Sequence, residues 1–299
     1  MFSRDYYDNF AVEDFNLEVK MGETIGLLGA NGAGKTTLIK MMAGIVSPSS
    51  GEISVLGYNP FKRPKEFKMQ VALVMGQKTQ LWWDIPALDS LKLFQHYYEL
   101  PDKLFQYRLD KLCEMLQVGD LLKIHLRKLS LGERMKMELL ACLLHEPKVV
   151  FLDEPTIGLD LVAQKNVRQF LLDYQQNTKA CIVLTSHYMA DVEKVCPRIV
   201  FIKNSRKEFD GPIEQFRSKA GNRKIVRFVF SKPVSTTEPI WQGLSANFAE
   251  DNCSVDLSLE QEVMRKISTH ILQHFPVTDF HTEKASIEQS MLNRIEDKK

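Results

Sequence analysis

The stretch TIGLLGANGAGKTT, residues 24–37, sets a short apolar run directly before a glycine-rich loop. The loop itself, GANGAGKTT at 29–37, matches the pattern G-x-x-x-x-G-K-[ST]. The sequence predicts a strand before this loop and a helix from about Gly34 to Ala43 after it. Glycines let successive backbone N–H groups face an anion, and the start of a helix favours negative charge. The stretch therefore predicts a phosphate-binding loop in an α/β protein.

Two side chains of the loop are suited to a nucleoside triphosphate with Mg²⁺. Lys35 is placed to reach the β- and γ-phosphates, and the Thr36 hydroxyl is placed to ligate Mg²⁺. A glycine-rich turn with an exposed lysine is the alternative, but it leaves the complete match to the pattern unexplained. The predicted nucleotide-binding residues of the loop are Gly29, Ala30, Asn31, Gly32, Ala33, Gly34, Lys35, Thr36 and Thr37.

An acidic pair follows the apolar run in VVFLDEP, residues 149–155. Asp153, at the carboxyl end of a predicted buried strand, is placed to hold Mg²⁺ through water. Glu154 beside it is the candidate to orient and deprotonate the attacking water. Two solvated carboxylates at a strand end are the alternative. The phosphate loop earlier in the chain makes that alternative the weaker interpretation.

Composition restricts the class of protein. The chain has 299 residues, of which 44% are hydrophobic and 26% charged, so a packed core is expected. A net charge of +1 argues against a broad basic surface for nucleic acid. The five scattered cysteines include no C-x-x-C pair, which favours reduced thiols over disulfides or a zinc site. The sequence shows no signal peptide at its start and no run of about 20 apolar residues that would span a membrane.

The order of patterns predicts two domains. Apolar runs such as VVFLDEP and CIVLTSH alternate with helical periodicity, which indicates a mostly parallel sheet. The polar stretch SKAGNRK at 218–224 is the predicted boundary. We expect a nucleotide-binding domain over 1–217, with a helical subdomain at about 87–145, and a small α+β domain over 222–299. Predicted elements of the second domain are strands in KIVRFVFSK, CSVDLSL and VTDFHTEKA, and helices at 260–274 and in SIEQSMLNRI.

The stretch KLSLGERMKMELLACLLHEP, residues 128–147, predicts a helix that begins with an S-x-x-E capping box, Ser130 and Glu133. Gly132 in the first turn is unexpected, because glycine costs about 1 kcal/mol in a helix relative to a better helix former. A close approach to the backbone would explain it. LSLGE resembles the signature motif L-S-G-G-Q of the ATP-binding cassette (ABC) ATPases, with Leu131 and Glu133 as departures.

The resemblance to the ABC ATPases covers about residues 5–215 and implies further site residues. By this resemblance, Ser130, Gly132 and Glu133 face the nucleotide's γ-phosphate, and Gln77 of VMGQKTQ bridges Mg²⁺, the attacking water and a membrane partner. GLD at 158–160 resembles the D-loop, which places Asp160 near another subunit's phosphate loop. His187 of LTSH resembles the switch histidine that contacts the γ-phosphate. Tyr6 is positioned like the aromatic residue that stacks on adenine, with Tyr7, or ordinary packing, as alternatives.

The resemblance also implies a fold and partners. The fold is an α/β P-loop NTPase with a mostly parallel core sheet, an antiparallel β subdomain and a helical subdomain. Two nucleotide-binding domains, either two copies of this chain or one copy and a close relative, sandwich ATP and Mg²⁺. A separate permease holds them at the cytoplasmic face of the inner or plasma membrane. GQKTQLWWDIP and LHEPKVVFLDEPTIGLD are similar to ATPase subunits of type-2 ABC export systems. The family usually has another strand ahead of the adenine-stacking aromatic residue, but only five residues precede Tyr6. We therefore expect either that the start is truncated or that the sheet edge is built differently.

Other functional classes explain the sequence less well. A soluble ABC ATPase acting on nucleic acid or the ribosome would carry coiled coils, a second cassette or a zinc module. About 95 residues separate Lys35 from Ser130, without sustained heptads. A P-loop GTPase or kinase leaves LSLGE unexplained. In the loop TQLWWDIP at 79–86, adjacent residues of an extended chain face opposite sides, so we expect at least one of Trp82 and Trp83 to pack inward and the other to be partly exposed. The resemblance implies that this region receives a cytoplasmic helix of the permease, so the exposed tryptophan is expected to contact the permease.

Overall fold

A computed structural model describes residues 10–76, 78–186, 188–220, 223–241, 243–244 and 246–284. The chain divides into two compact units, Met1–Pro212 and Ile213–Lys299. The nucleotide-binding domain predicted over 1–217 and the small domain predicted over 222–299 stay predictions.

The first unit is built on a six-stranded sheet in the order β2-β3-β4-β1-β5-β6. Its first five strands in that order run parallel, and β6 pairs antiparallel with β5. The strands are β1 Thr24–Leu28, β2 Val71–Met75, β3 Val149–Asp153, β4 Cys181–Thr185, β5 Arg198–Lys203 and β6 Arg206–Pro212. Parallel strands end at the same edge, so the residues after β1, β3 and β4 meet there.

Helices connect these strands and form the helical subdomain. Those in the first unit are α1 Lys35–Met42, α2 Lys65–Lys68, α3 Ala87–Tyr97, α4 Asp102–Leu116, α5 Leu131–Leu143, α6 Leu161–Thr178 and α7 Met189–Val195. The second unit contains α8 Ile213–Ala220 and α9 Gln261–His274. No helix among the described residues has the length and hydropathy that a membrane span requires.

The central strands are buried on both faces, which explains their continuous apolar sequences. Every residue of β1, β3 and β4 is buried. Leu38 and Ile39 of α1 pack in one cluster with Ile25, Phe151 and Val183 from those strands. This packing fixes the start of α1 relative to the ends of β3 and β4, where the polar residues of interest lie.

The N-terminal segment differs from the prediction. The sequence predicts short strands in AVEDFNLEV, residues 11–19, and a strand–turn unit in SGEISVLG, residues 50–57. The first stretch lies outside the described sheets, and the second contributes only Val55, which forms an isolated bridge with Tyr58. Both segments pack partly buried against the α1 cluster. Their apolar alternation therefore reflects packing against the core rather than a ladder of backbone hydrogen bonds.

The second unit is a four-stranded antiparallel sheet in the order β10-β7-β9-β8, with α9 packed against it. The strands are β7 Arg223–Phe230, β8 Ala246–Phe248, β9 Ser254–Glu260 and β10 Val277–Lys284. Alternate residues of β7 and β9, including Phe228 and Leu257, form its core. Three strands and two helices were predicted, and the structure has the three strands and the helix at 260–274. The other predicted helix, SIEQSMLNRI, lies outside the described residues, and β8 was missed because it has only three residues. The mostly parallel core sheet, the helical subdomain and this α+β unit confirm the predicted fold class.

Candidate functional site

The phosphate loop joins β1 to α1, as predicted. Gly34 is the N-cap of α1 and adopts a left-handed conformation with φ 101°. A Cβ at this position would lie 2.0 Å from the carbonyl oxygen of Ala11, so the N-terminal segment crosses directly over it. Only glycine satisfies both constraints. The structure places all nine predicted residues, 29–37, in this loop and the first turn of the helix.

The ammonium group of Lys35 lies within the loop and is buried. It donates hydrogen bonds to the carbonyl oxygens of Gly29, at 2.5 Å, and Ala30, at 3.0 Å. The positive charge is thus held at the open end of β1, beside the N-terminus of α1. This burial excludes the alternative of a glycine-rich turn with an exposed lysine.

The hydroxyl of Thr36 meets the carboxylate of Asp153 at the sheet edge. Thr36 Oγ1 donates to the carboxylate and lies 3.0 Å from both oxygens, although 117 residues separate the two side chains in sequence. Thr185, at the end of β4, donates to Asp153 Oδ1 at 2.8 Å. Asp153 pairs in register with Thr185 on the neighbouring parallel strand. Thr185 was not predicted from the sequence. The available signal was its position at the end of the apolar run in CIVLTSH, residues 181–187.

Glu154 begins a strained turn after β3. Its φ of 55° is in the left-handed region, which is uncommon for a residue with a Cβ and recurs at functional sites. Its backbone N–H donates to Thr185, at 3.1 Å from the carbonyl oxygen and 3.0 Å from Oγ1. The turn therefore holds the Glu154 backbone in place beside Asp153.

The chain after β2 approaches the same turn. Gly76 donates its N–H to the Asp153 carbonyl at 2.9 Å, and a Cβ on Gly76 would lie 2.2 Å from the Glu154 carbonyl oxygen. Gln77 follows Gly76 directly but lies outside the described residues. Tyr6 and His187 also lie outside the described residues, so their predicted roles stay predictions.

A buried polar network links the segments that follow β3 and β4. The carboxylate of Asp191, on α7, accepts hydrogen bonds from the hydroxyls of Thr156 and Ser186, the latter at 2.6 Å. Arg168 of α6 pairs with the same carboxylate at 2.9 Å. Ser186 in turn accepts a hydrogen bond from the N–H of Tyr188 at 2.9 Å. Sequence reasoning missed this network. The available signal was that Asp191 stands between Ala190 and Val192 in a short helix.

The predicted capping box at the start of α5 is present. Glu133 N donates to Ser130 Oγ at 3.3 Å, while Glu133 Oε2 accepts from the backbone N–H and hydroxyl of Ser130, both at 2.8 Å. These hydrogen bonds lower the pKa of Glu133. Gly132 also has a packing reason, because a Cβ there would lie 3.2 Å from the Cβ of Ala163. Close helix packing within this chain thus accounts for Gly132 without a ligand.

Asp160 caps α6, with its carboxylate accepting from Ala163 N at 2.8 Å. The apolar residues after it are strongly exposed, Leu161 at 80% and Val162 at 69%. Leu131, at the start of α5, is 44% exposed and lies beside Gly158. Exposed apolar side chains are therefore grouped around the starts of α5 and α6.

The prediction that one of Trp82 and Trp83 packs inward is wrong. The two side chains are 52% and 46% exposed. Residues 83 and 84 form a turn, so the alternation of an extended strand does not apply. The guanidinium of Arg134, on α5, lies 4.9 Å from the Trp83 ring centre.

The residues at the sheet edge fit a bound magnesium ion. Thr36 and Asp153 bring a hydroxyl and a carboxylate together, and such hard oxygen ligands are the type that Mg²⁺ prefers, with water completing its shell. The adjacent N-terminus of α1 suits the phosphate groups that accompany the ion.

Comparison with known proteins gives consistent matches. A family model described as "ABC transporter" matches residues 12–157. The ABC transporter ATP-binding protein NatA of Bacillus subtilis is 30% identical over 75% of this chain and 91% of its own. The Nod factor export ATP-binding protein I of Cupriavidus metallidurans is 33% identical over 72% and 71% respectively. A solved structure of an ATP binding subunit of an ABC transporter has 28% identity and a TM-score of 0.63, covering 70% of this chain and 86% of that one.

Proposed function

This chain belongs to the ABC transporter ATPases and is an ATP-hydrolysing subunit of that family, and we propose that it works as a pair of copies that drive a separate export permease. Relatives named for export, such as the Nod factor export protein, support the direction of transport. The alternative of an ATPase acting on nucleic acid or the ribosome finds no support among these relatives.

The observation that carries the proposal is the convergence of Thr36 and Asp153 next to the buried Lys35. A hydroxyl, a carboxylate and an ammonium group meet at the N-terminus of α1. This set matches what a nucleotide's β- and γ-phosphates and their ion require. We propose that Lys35 neutralises the phosphates and that Thr36 and Asp153 hold Mg²⁺, which stabilises charge on the phosphoryl oxygens.

Glu154 is the proposed general base. Its backbone is fixed beside Asp153 by Thr185, at the same sheet edge as the phosphate loop. The carboxylate would accept a proton from the attacking water as the oxygen of that water bonds to the γ-phosphorus, while the bond from the γ-phosphorus to the bridging oxygen breaks and ADP leaves. Gln77 and His187 complete the proposed set, with Gln77 also a proposed magnesium ligand. Tyr6 is the proposed adenine contact.

A second copy of this chain is the proposed partner across the nucleotide. Ser130, Gly132 and Glu133 start a helix at the surface, where the positive end of the helix dipole can face a γ-phosphate. The exposed Leu131, Leu161 and Val162 beside them supply apolar contact area. We propose that this face meets the other copy's phosphate loop, with Asp160 at the junction. The permease then holds the pair at the cytoplasmic face of the membrane.

ATP hydrolysis by the purified chain tests the proposed phosphate site. Phosphate release with Mg²⁺ should fall by at least about 10²-fold in Lys35→Ala, because a transition-state charge clamp is removed. Lys40→Ala, further along the same helix, is the matched control and should leave the rate unchanged. Chelation of Mg²⁺ should abolish the activity of all three proteins. Full activity in Lys35→Ala would exclude this site.

Mixed subunits test the pairing of two copies. Lys35→Ala disables the phosphate loop of its own copy, and Ser130→Arg places a bulky charge at the face that completes the other copy's site. A mixture of the two inactive variants should regain activity, because a mixed pair contains one site free of both substitutions. A mixture as inactive as each variant alone would contradict sites shared between copies that act independently.

A further inference from the structure

A carboxylate is buried halfway along α5. Glu138 is only 5% exposed, and acidic residues are seldom so buried unless they are paired. Among the described residues no Lys or Arg forms an ion pair with it. Its partners are instead neutral donors from one loop. Burial raises the pKa of Glu138 and the hydrogen bonds oppose that shift.

The loop that Glu138 holds runs from Thr79 to Leu81, between β2 and the exposed tryptophans. Gln80 N lies 3.1 and 3.0 Å from the two carboxylate oxygens, and Leu81 N lies 3.4 Å from one of them. The Thr79 hydroxyl also donates to Glu138. Trp82 follows directly, with its N–H 3.3 Å from Ser90 Oγ. One side chain of α5 thus satisfies three consecutive residues of the loop.

Two further residues of α5 contact the same loop, one turn away on each side of Glu138. Arg134 lies over the ring of Trp83, and Cys142 Sγ lies 2.9 Å from the amide Nε2 of Gln80. Residues four apart share a helix face. Arg134, Glu138 and Cys142 therefore form a stripe, which we call the α5 stripe, that holds the loop over residues 79–83.

The same helix begins at Ser130, in the proposed nucleotide-facing segment. Eight residues, or roughly 12 Å at the helical rise, separate Ser130 from Glu138. A continuous helix moves as one body over such a length, so a displacement at its start is carried to Glu138. The hydrogen bonds from Glu138 then carry that displacement to the backbone of loop 79–81 and to Trp82.

We propose that Glu138 is a positioning residue that couples the start of α5 to loop 79–83, so that nucleotide bound at Ser130 repositions Trp82 and Trp83. The inference rests on the proposed function, which puts nucleotide at Ser130. It adds a route by which nucleotide binding alters the surface offered to the permease. Glu138 touches neither nucleotide nor reacting atoms in this scheme.

An amide cannot replace this carboxylate. Glutamine has the same shape but only one acceptor oxygen, and its NH₂ group would face the N–H of Gln80 or Leu81. Glu138→Gln should therefore loosen the loop with little change in packing volume. Thr79→Val removes one donor of the same set while leaving the backbone donors in place.

Tryptophan fluorescence gives a direct reading of the loop. The chain has three tryptophans, and the double variant Trp82→Phe/Trp83→Phe measures the share of Trp241. A non-hydrolysable ATP analogue with Mg²⁺ should change the emission of Trp82 and Trp83 in the parent chain. In Glu138→Gln most of that change should be lost, while a fluorescent ATP analogue binds with unchanged affinity. If Glu138 had only a structural role, Glu138→Gln would lower the melting temperature but would not lose the emission change while keeping its affinity for nucleotide.

Matched variants complete the test. Glu114→Gln, an exposed carboxylate on α4, should keep the full emission change. If Glu138→Gln does not fold, Thr79→Val provides the reading and should lose part of the change. Where both single variants fold, the double variant Thr79→Val/Glu138→Gln should lose no more of the emission change than Glu138→Gln alone, because both substitutions act through one contact.

Two outcomes overturn the inference. One is a folded Glu138→Gln with the full emission change. The other is a parent chain that binds and hydrolyses ATP without any change at Trp82 and Trp83. A parent chain that neither binds nor hydrolyses ATP overturns the proposed function instead, so the two failures are distinguishable.

Discussion

The two halves of the proposed nucleotide site are built differently. On the sheet side, Lys35, Asp153 and Thr185 are buried. Lys35 donates to carbonyl oxygens of its own loop, and Thr185 donates to Asp153 on the neighbouring strand. At the start of α5, Ser130 is exposed and bonded to Glu133 of its own first turn. Burial makes the sheet side rigid and complete within one chain. The α5 side is a locally capped helix end, which in the proposed arrangement acts only when a second nucleotide-binding domain meets it.

The largest expected effect removes the base from the sheet side. Glu154→Gln should keep ATP binding and lower kcat by about 10²–10⁴-fold, because the amide cannot accept the proton of the attacking water. It should also accumulate the ATP-bound pair, because a negative charge beside the γ-phosphate is lost. Turnover and size-exclusion chromatography with ATP measure the two effects.

Glu114→Gln is the control for the charge change in that experiment. A normal turnover rate in Glu154→Gln would remove this carboxylate from the chemistry, and the sheet side would then be a binding half only.

The second prediction concerns His145, two residues after the C-terminal end of α5. The ring is buried and stacks on Tyr98 with centres 3.7 Å apart, and burial lowers the pKa of His145 to about 4 from 6.5. The unfolded chain therefore binds more protons between those values, so the free energy of unfolding falls as pH drops below 6.5. The full loss is about 3 kcal/mol, of which about 2 kcal/mol is reached by pH 5.

Urea unfolding at pH 7 and pH 5 measures this effect. His145→Phe keeps an aromatic ring on Tyr98 and should reduce the loss of stability between the two pH values. His96→Phe, on the exposed face of α3, is the matched variant and should leave that loss unchanged. An equal loss in the parent and in His145→Phe would show that the inner end of α5 is not sensitive to this charge.

The third prediction tests the exposed loop that α5 holds. Trp82→Ala or Trp83→Ala should weaken permease binding by about 2 kcal/mol, because exposed tryptophans are frequent interface hot spots. Both side chains are half exposed, so the melting temperature should change little in either variant. Co-purification with the permease and thermal melts are the measurements.

Tyr107→Ala, an exposed aromatic on α4, is the control surface for the tryptophan variants. If neither tryptophan variant weakens co-purification, the permease docks elsewhere, and the exposed loop loses its proposed role.

The smallest expected effect concerns the cap of α5. Ser130→Ala removes the acceptor of the Glu133 N–H and should lower the free energy of unfolding by about 1 kcal/mol, while Ser130→Gly should cost only about a few tenths. Chemical denaturation measures both. A loss of several kcal/mol in Ser130→Ala would mean that the start of α5 is packed into the core. That would contradict its description as an exposed, locally capped helix end.

The sequence was most informative where a local pattern encodes a local geometry. The phosphate loop, the parallel strands and the capping box of α5 follow from residues close together in the chain. AVEDFNLEV misled because apolar alternation reports burial and not hydrogen-bond pairing. Trp82 and Trp83 misled because a turn replaces the extended chain that the alternation assumes. Local pattern therefore identified the elements better than it placed side chains in loops.

What the sequence determined by itself was the chemistry available: Lys35 and Thr36 in a phosphate loop, the Asp153–Glu154 pair, and Ser130 with Glu133 at a helix start. Only the tertiary structure decided which distant side chains meet. Thr36 reaches Asp153 across 117 residues, Thr185 joins them, and Asp191 and Glu138 each hold loops from other parts of the chain. The physical reason is that a buried polar group must find its partner, and strand order and helix packing, which local sequence does not encode, determine which partner is within reach.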